Sequence, residues 1–207
     1  LRQEVFEQLF DMNQPQNLPS KSLNRDAWIR AAIDLLAKEG IAGLRVERLA
    51  HRLGVTKGSF YWHFKDRRDL HLAVLEHWKA GRIADIDKQT RCPSGTEAEQ
   101  LLHVIDVYSA SRNPRGILIE LAVREWARRD EAAAAVVSEV DAVRLDRARR
   151  LFLACGLDEA TATARAALLY AYVFGMSLLL LPVASHELEA MRRQIAQWIA
   201  ACPSRTA

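Results

Sequence analysis

The sequence predicts an all-α protein. Three observations carry this: apolar residues recur at i, i+3, i+4 and i+7 in one stretch after another, no stretch alternates in the manner of a strand, and capping residues and glycines stand where such stretches begin and end. At 207 residues, half of them apolar and 27% charged, the chain is long enough for one or two domains around a sizeable core, and two are expected.

Residues 1 to 12 can form a short amphipathic helix, with Val5, Phe6, Leu9 and Phe10 on one side. The following NQPQNLPS reads as a linker, so 1–22 is taken as an N-terminal extension. From Asn24, a plausible N-cap, Trp28, Ala31, Ala32, Leu35 and Leu36 fall at helical spacing until Gly40, where a C-terminal glycine belongs. Val46, Leu49, Ala50 and Leu53 repeat the stripe in a second helix, Gly54 supplies a turn that tolerates positive φ, and Thr56 can cap a third helix beginning at Lys57. Two short helices joined by so few residues cross steeply. Residues 23–68 are therefore expected to form a three-helix domain with a helix-turn-helix, the motif that sets its second helix in a DNA groove.

The remaining residues, 69–207, also read as helices. Asp66 can cap one running to about Asp85, and a loop holding Cys92, Pro93 and Gly95 precedes another from about Thr96 to Ala110. Asn113 and Pro114 open a helix to Ala127, a long one spans Asp130 to Cys155 and ends at Gly156, Asp158 opens the next, and Ser185 the last.

The third helix carries the chemistry. In GVTKGSFYWHF, Phe60 and Phe64 are the large apolar pair at i, i+4 and are expected to face the core. Trp62 then points the opposite way, flanked by Gly58 and Ser59, with Tyr61 and His63 on the shoulders and Lys57 at the N-terminal end. Gly58 permits close backbone approach, Lys57 and Ser59 can hydrogen-bond base edges, and Trp62 offers apolar area to a thymine methyl. Tyr61 and His63 can donate to phosphates. Burying every side of so short a helix instead would strand Lys57 and His63 at several kcal/mol each. Charge agrees: the net +3 resides in residues 1–80, and Arg45 to Leu72 holds seven basic against three acidic side chains.

Residues Arg25 to Leu75 resemble the DNA-binding domain of the tetracycline-repressor (TetR) family of bacterial transcription regulators. The resemblance rests on AAIDLLAKEG, VERLAHRLGV, TKGSFYWHF and KDRRDL, and covers about a quarter of the chain. It implies that Lys57, Gly58, Ser59 and Trp62 face bases of a palindromic operator in double-stranded DNA, while Thr56, Tyr61, His63 and Arg67 hold the backbone. Arg45 stands where the family usually has Ser or Thr as cap and phosphate donor; it can reach a phosphate, but the helix loses that cap. The resemblance further implies a C-terminal effector-binding and dimerisation domain enclosing a pocket for a small-molecule effector, whose occupation shifts the spacing of the two reading heads. Trp78, His103, Tyr108, Glu120, Trp126, Tyr170 and Phe174, aromatic or polar groups on otherwise apolar faces, are the candidates to line it.

Ala166 to Ala184 contains nineteen residues of which Ser177 alone is clearly polar. Burial in protein is expected, not a membrane span, because the last helix offers an amphipathic partner face of Leu188, Met191, Ile195 and Trp198, and Ala167, Ala171 and Gly175 form a small-residue stripe. TetR-like regulators are homodimers joined by their last two long helices, which implies that these seven residues form the dimer interface. Asp141 with Arg144 and Asp146 with Arg150 read as a solvated, salt-bridged face. Cys92, Cys155 and Cys202 are odd in number without C-x-x-C spacing, so neither a disulfide framework nor a zinc site is expected, and a cytoplasmic setting fits. The histidines lack paired ligand spacing and no nucleotide or hydrolase fingerprint is present, so no metal, cofactor or catalytic residue is expected. The alternative is an all-helical enzyme or interaction protein using the C-terminal cavity, with the helix-turn-helix vestigial.

Overall fold

A computed structural model describes residues 23–90, 97–109 and 114–202. The expected helix and linker of 1–22, the loop at Cys92 and the Asn113 cap lie outside the described residues. Among the described residues every regular element is helical: α1 (Arg25–Glu39), a 3-10 turn (Ile41–Gly43), α2 (Val46–Leu53), α3 (Lys57–Phe60), α4 (Arg67–Thr90), α5 (Glu97–Ser109), α6 (Pro114–Ala127), α7 (Glu131–Ala154), α8 (Glu159–Leu178) and α9 (Ser185–Ala200).

Local chemistry sets most boundaries. The side chains of Asn24, Asp130 and Asp158 accept from Ala27, Ala133 and Thr161 amides at 2.9–3.0 Å, satisfying donors that a helix start leaves unpaired. Asp66 accepts likewise from the Asp69 amide at 2.9 Å at the start of α4. Gly54 ends α2 at φ 68°, a left-handed position that costs glycine nothing and lets the chain reverse into α3. Arg45 precedes α2 with no side-chain cap, as its residue type leads one to expect.

Several expectations need correction. Thr56 occupies the capping position of α3 in extended conformation, but its side chain makes no capping bond; its carbonyl instead accepts from the Ser59 amide at 3.1 Å. The helical run of α3 is a single turn, because the Tyr61 and His63 amides close i→i+3 bonds that tighten the chain after Phe60. Helix α4 continues five residues past Asp85, with Ile86 buried. The apolar segment after Ala166 is not one helix: α8 stops at Leu178, and Leu179 is extended shortly before Pro182, a residue that disfavours helix at its predecessor. Among the described residues no helix is long and apolar enough to cross a membrane.

Two apolar clusters hold the fold. The first joins Trp28, Leu36, Leu49, Phe60 and Phe64 to Leu70, Val74, Trp78, Trp126 and Val140, so it runs without a break across the boundary expected at residue 68. The second gathers Leu101, Ile105, Phe152, Leu169, Val173 and Ile199 from α5, α7, α8 and α9. At its edge Cys155 and Cys202 are joined as a disulfide with Cα atoms 5.7 Å apart, contrary to the expectation of no disulfide. The partners are 47 positions apart in sequence and meet only because α9 folds back along the second cluster, which spacing rules for cysteine do not encode.

His71, on α4, packs edge-on against Trp126 with ring centroids 5.1 Å apart. Burial is the main cause holding its pKa below the ordinary imidazole value, with Arg67 next. The unfolded chain therefore binds this proton more readily, so stability is intact above the unfolded imidazole value of about 6.5 and declines as pH falls through it toward the lower folded value. Denaturant melts from pH 8 to pH 5 should show this decline, and His71→Phe should flatten it.

Candidate functional site: a nucleic-acid interface and two cavities

The segment 56–64 is anchored from one side. Phe60 and Phe64 stack at 5.2 Å, Phe60 meets Trp28 edge-on at 5.5 Å, and the Arg25 guanidinium lies 4.6 Å over Phe64. Both phenylalanines are buried. Because they take the inward side, the intervening residues are forced outward: Trp62 is 87% and Tyr61 58% exposed, while Ser59 and His63 are half-buried. An indole so exposed forfeits roughly 2 kcal/mol of burial free energy, which marks a surface awaiting an apolar partner. Thr56, Lys57, Gly58, Arg45 and Arg67 are exposed beside it. A Cβ added at Gly58 would have the Thr56 hydroxyl, at 3.7 Å, as its nearest neighbour beyond the adjacent backbone among the described residues, so no packing there requires glycine.

One partner in this surface was not foreseen. The Lys57 ammonium is paired with the Glu47 carboxylate, from α2 across the turn. The hydrogen bond between them lowers the Glu47 pKa and raises that of Lys57, so both stay charged at neutral pH. Both groups are exposed, so the pair contributes little to stability. Its effect is on availability: the contact with a phosphate or a base expected of Lys57 would require it to leave Glu47. Glu47→Gln should therefore raise affinity for duplex DNA and steepen the slope of log K against log salt by about one per chain, as read by fluorescence anisotropy.

The sequence model of the family described as "Bacterial regulatory proteins, tetR family" matches residues 29–74, from the first turn of α1 into α4 and across the whole anchored segment. Residues 29–74 carry the DNA-binding sequence pattern of the TetR family. Tetracycline repressor protein class C of Escherichia coli is 50% identical over 54 residues, which are 26% of this chain and 25% of that protein. The chain thus spans about a quarter of the length of the curated relatives it matches first. Solved structures align over much more. A TetR-family member of Streptomyces coelicolor, SCO1917, is 25% identical, covers 86% of this chain and 98% of its own, and superposes with a TM-score of 0.61. A transcriptional regulator of Rhodococcus sp. Rha1 reaches 0.68 at 19% identity, over 85% and 93% of the two chains.

Within this TetR-family fold, the residues proposed for a pocket divide. Glu120, Tyr170 and Phe174 come together. A cavity of about 270 Å³ is lined by Arg124, Asp141, Arg144, Leu145, Ala167, Tyr170, Ala171 and Phe174, and a smaller one beside it by Glu120, Arg144, Tyr170 and Phe174. Its polar wall is an ion network. Arg144 grips Glu120 through both oxygens at 2.7 and 2.8 Å, and Arg124 reaches Glu120 at 2.9 Å and both oxygens of Asp141. Arg124 also lies 4.2 Å over the Phe174 ring. Arg144 is therefore not on a solvated face as expected: it is 3% exposed, because its main partner is on α6 and not on its own helix. Asp146 and Arg150 do pair at the surface at 2.7 Å.

The other candidates lie elsewhere. Trp126 is buried in the first cluster against His71, His103 is exposed on α5, and the Tyr108 side chain lies outside the described residues. Trp78 lines a separate cleft between α1, α4 and α6. Of the residues expected at a dimer interface, Ala167, Ala171 and Trp198 are exposed, and Leu188, Met191, Ile195 and Gly175 are half-buried. Ala167 and Ala171 also line the 270 Å³ cavity, which therefore opens on the same face. A missed feature adjoins them: Leu178 to Leu181 and Val183 are all exposed, where the helix end lifts them off the core.

Proposed function

We propose that the chain is a homodimeric transcriptional repressor that works in the cytoplasm, binds a palindromic operator in double-stranded DNA and is released by a small-molecule effector. The observation that carries this reading is the outward face of Lys57, Gly58, Ser59, Tyr61, Trp62 and His63, fixed by Phe60 and Phe64 against Trp28. In it Lys57, Gly58, Ser59 and Trp62 meet base edges, and Arg45, Thr56, Tyr61, His63 and Arg67 hold the sugar–phosphate walls. Dimerisation through α8, α9 and the exposed leucines would cover apolar surface that a lone chain leaves in water, and would pair two reading heads.

The cavity beside Phe174 supports the effector role. Its charges are already matched within the chain, so it favours a ligand bound mainly by its apolar or aromatic surface. Such a ligand releases DNA if it prefers the reading-head spacing that does not fit the duplex, a preference of about 1–3 kcal/mol being enough.

Anisotropy titrations of a labelled operator duplex should show two chains per duplex and affinity falling steeply with salt. One chain per duplex, or affinity indifferent to salt, would overturn the reading. Leu180→Asp places a charge at a side chain 98% exposed in the single chain. Sedimentation should then show monomers where the unaltered protein is dimeric, without loss of helicity.

A further inference from the structure

The cleft between α1, α4 and α6 is distinct from the cavity beside Phe174. It encloses about 310 Å³, at the lower end of the size that holds small organic ligands. Its apolar floor is Ile33, Trp78 and Ile119, and its rim is basic: Arg30 from α1, His77 and Arg82 from α4, and Arg115 from α6. Asp85 engages Arg82 at 2.7 Å, and Asp34 engages Arg115. Arg30 has no carboxylate partner among the described residues. The rim thus keeps an uncommitted guanidinium beside an aromatic floor.

Two further observations point to an occupant. The Trp78 indole N–H is buried with no hydrogen-bond partner among the described residues, and Trp78 is only 5% exposed; a buried donor normally finds one. Gly81 stands in the middle of the 24-residue α4, where glycine disfavours helix, yet a Cβ there would meet nothing within 4 Å. Among the described residues no neighbouring helix explains the glycine. The space it leaves belongs to the cleft that it lines.

We propose that this cleft binds a planar aromatic carboxylate, its ring over Trp78 in the space left open at Gly81 and its carboxylate on Arg30. Trp78 supplies the ring contact, and Arg30 supplies a charge-assisted hydrogen bond that a neutral ring cannot make. Because Arg30 and Ile33 belong to α1, whose Trp28 anchors Phe60 of α3, and the other lining residues to α4 and α6, the occupant bridges the two parts of the chain. Binding itself is measured without DNA, so the inference stands apart from the operator reading.

The probe is 2-naphthoate, titrated into the full chain by isothermal calorimetry, with 2-naphthamide as its neutral counterpart. One site per chain is expected, with the amide binding about tenfold or more weaker. Arg30→Gln, an exposed substitution, should weaken 2-naphthoate about tenfold, and Gly81→Leu, which favours the helix while filling the space, should abolish binding. Phe174→Ala should leave affinity unchanged. No binding by about 1 mM probe overturns the proposal, since a site worth less than about 4 kcal/mol is no site of this design. Unaltered binding in both Arg30→Gln and Gly81→Leu overturns it too, as does loss of binding in Phe174→Ala, which would place the ligand in the other cavity.

Discussion

Trp62→Ala abolishes operator binding at concentrations where the unaltered protein saturates the duplex, while its thermal melt is unchanged. The physical reason is the division of labour in the segment: the fold depends on Phe60 and Phe64, which are buried, and Trp62 touches nothing that holds α3 in place. Truncating a tryptophan at the centre of an interface costs on the order of 2 kcal/mol or more. With two chains on one duplex, as proposed, and additive sites, the loss is about 4 kcal/mol, roughly a thousandfold. Phe60→Ala inverts the pattern. It opens a cavity among Trp28, Phe64 and Leu49, costing about 3–5 kcal/mol of stability, and DNA binding fails because the domain unfolds.

Arg144→Met lowers stability by about 3 kcal/mol, because it strips Glu120 of its bidentate partner and leaves that carboxylate, 2% exposed, with the single Arg124 bond. In a chain of this size that is a fall of about 6–12 °C in Tm. The companion substitution decides the cause. Glu120→Leu with Arg144→Met removes both charges, and since Arg124 keeps both oxygens of Asp141, most of the lost stability returns. Calorimetric melts of the single and double variants separate an under-compensated buried charge from a simple loss of packing. Because the network walls the cavity beside Phe174, the double variant also makes that cavity more apolar, and it should favour uncharged ligands.

The parts of the fold that were legible in the sequence are those governed by neighbours in the chain. Asn24, Asp130 and Asp158 announce their helices because a cap acts over three residues, and Gly54 announces the turn because its φ is a local requirement. The outward face of 57–63 was legible for the same reason: one i, i+4 aromatic pair fixes the rotation of a short segment. What was not legible depends on distant partners. Arg144 looked like a surface residue because Asp141 lies three positions before it; Glu120, which buries it, is 24 positions away on another helix. Trp78, Trp126 and Tyr170 look alike as aromatics on apolar faces, and only the packing of α4, α6 and α8 sends them to a cleft, a core and a cavity. Cys155 and Cys202 belong to the same class. The Lys57–Glu47 pair had a readable hint, two opposite charges flanking a helix-turn-helix turn, but the turn geometry that brings them together had to be seen.

Electrostatics and conformation meet in the short path from α3 to the cavities. Helix α4 begins at Arg67, beside the reading segment, and passes Trp78 and Arg82; Arg82 lines both the α1–α4–α6 cleft and the small cavity next to Phe174. A ligand that moves α4 at Arg82 therefore moves a helix whose first turn is held to the recognition domain through Asp69 and Arg25, at 2.7 Å. That is a continuous physical link between the cavities and the proposed DNA face, made of α4 and one ion pair.

Selection of duplexes from a random DNA pool by the full chain tests the central claim most directly. The account predicts enrichment of an inverted repeat whose half-site centres lie about one helical turn, 34–36 Å, apart, with no enrichment by Trp62→Ala. Recovery of no common sequence, or of the same sequences by Trp62→Ala, would contradict it.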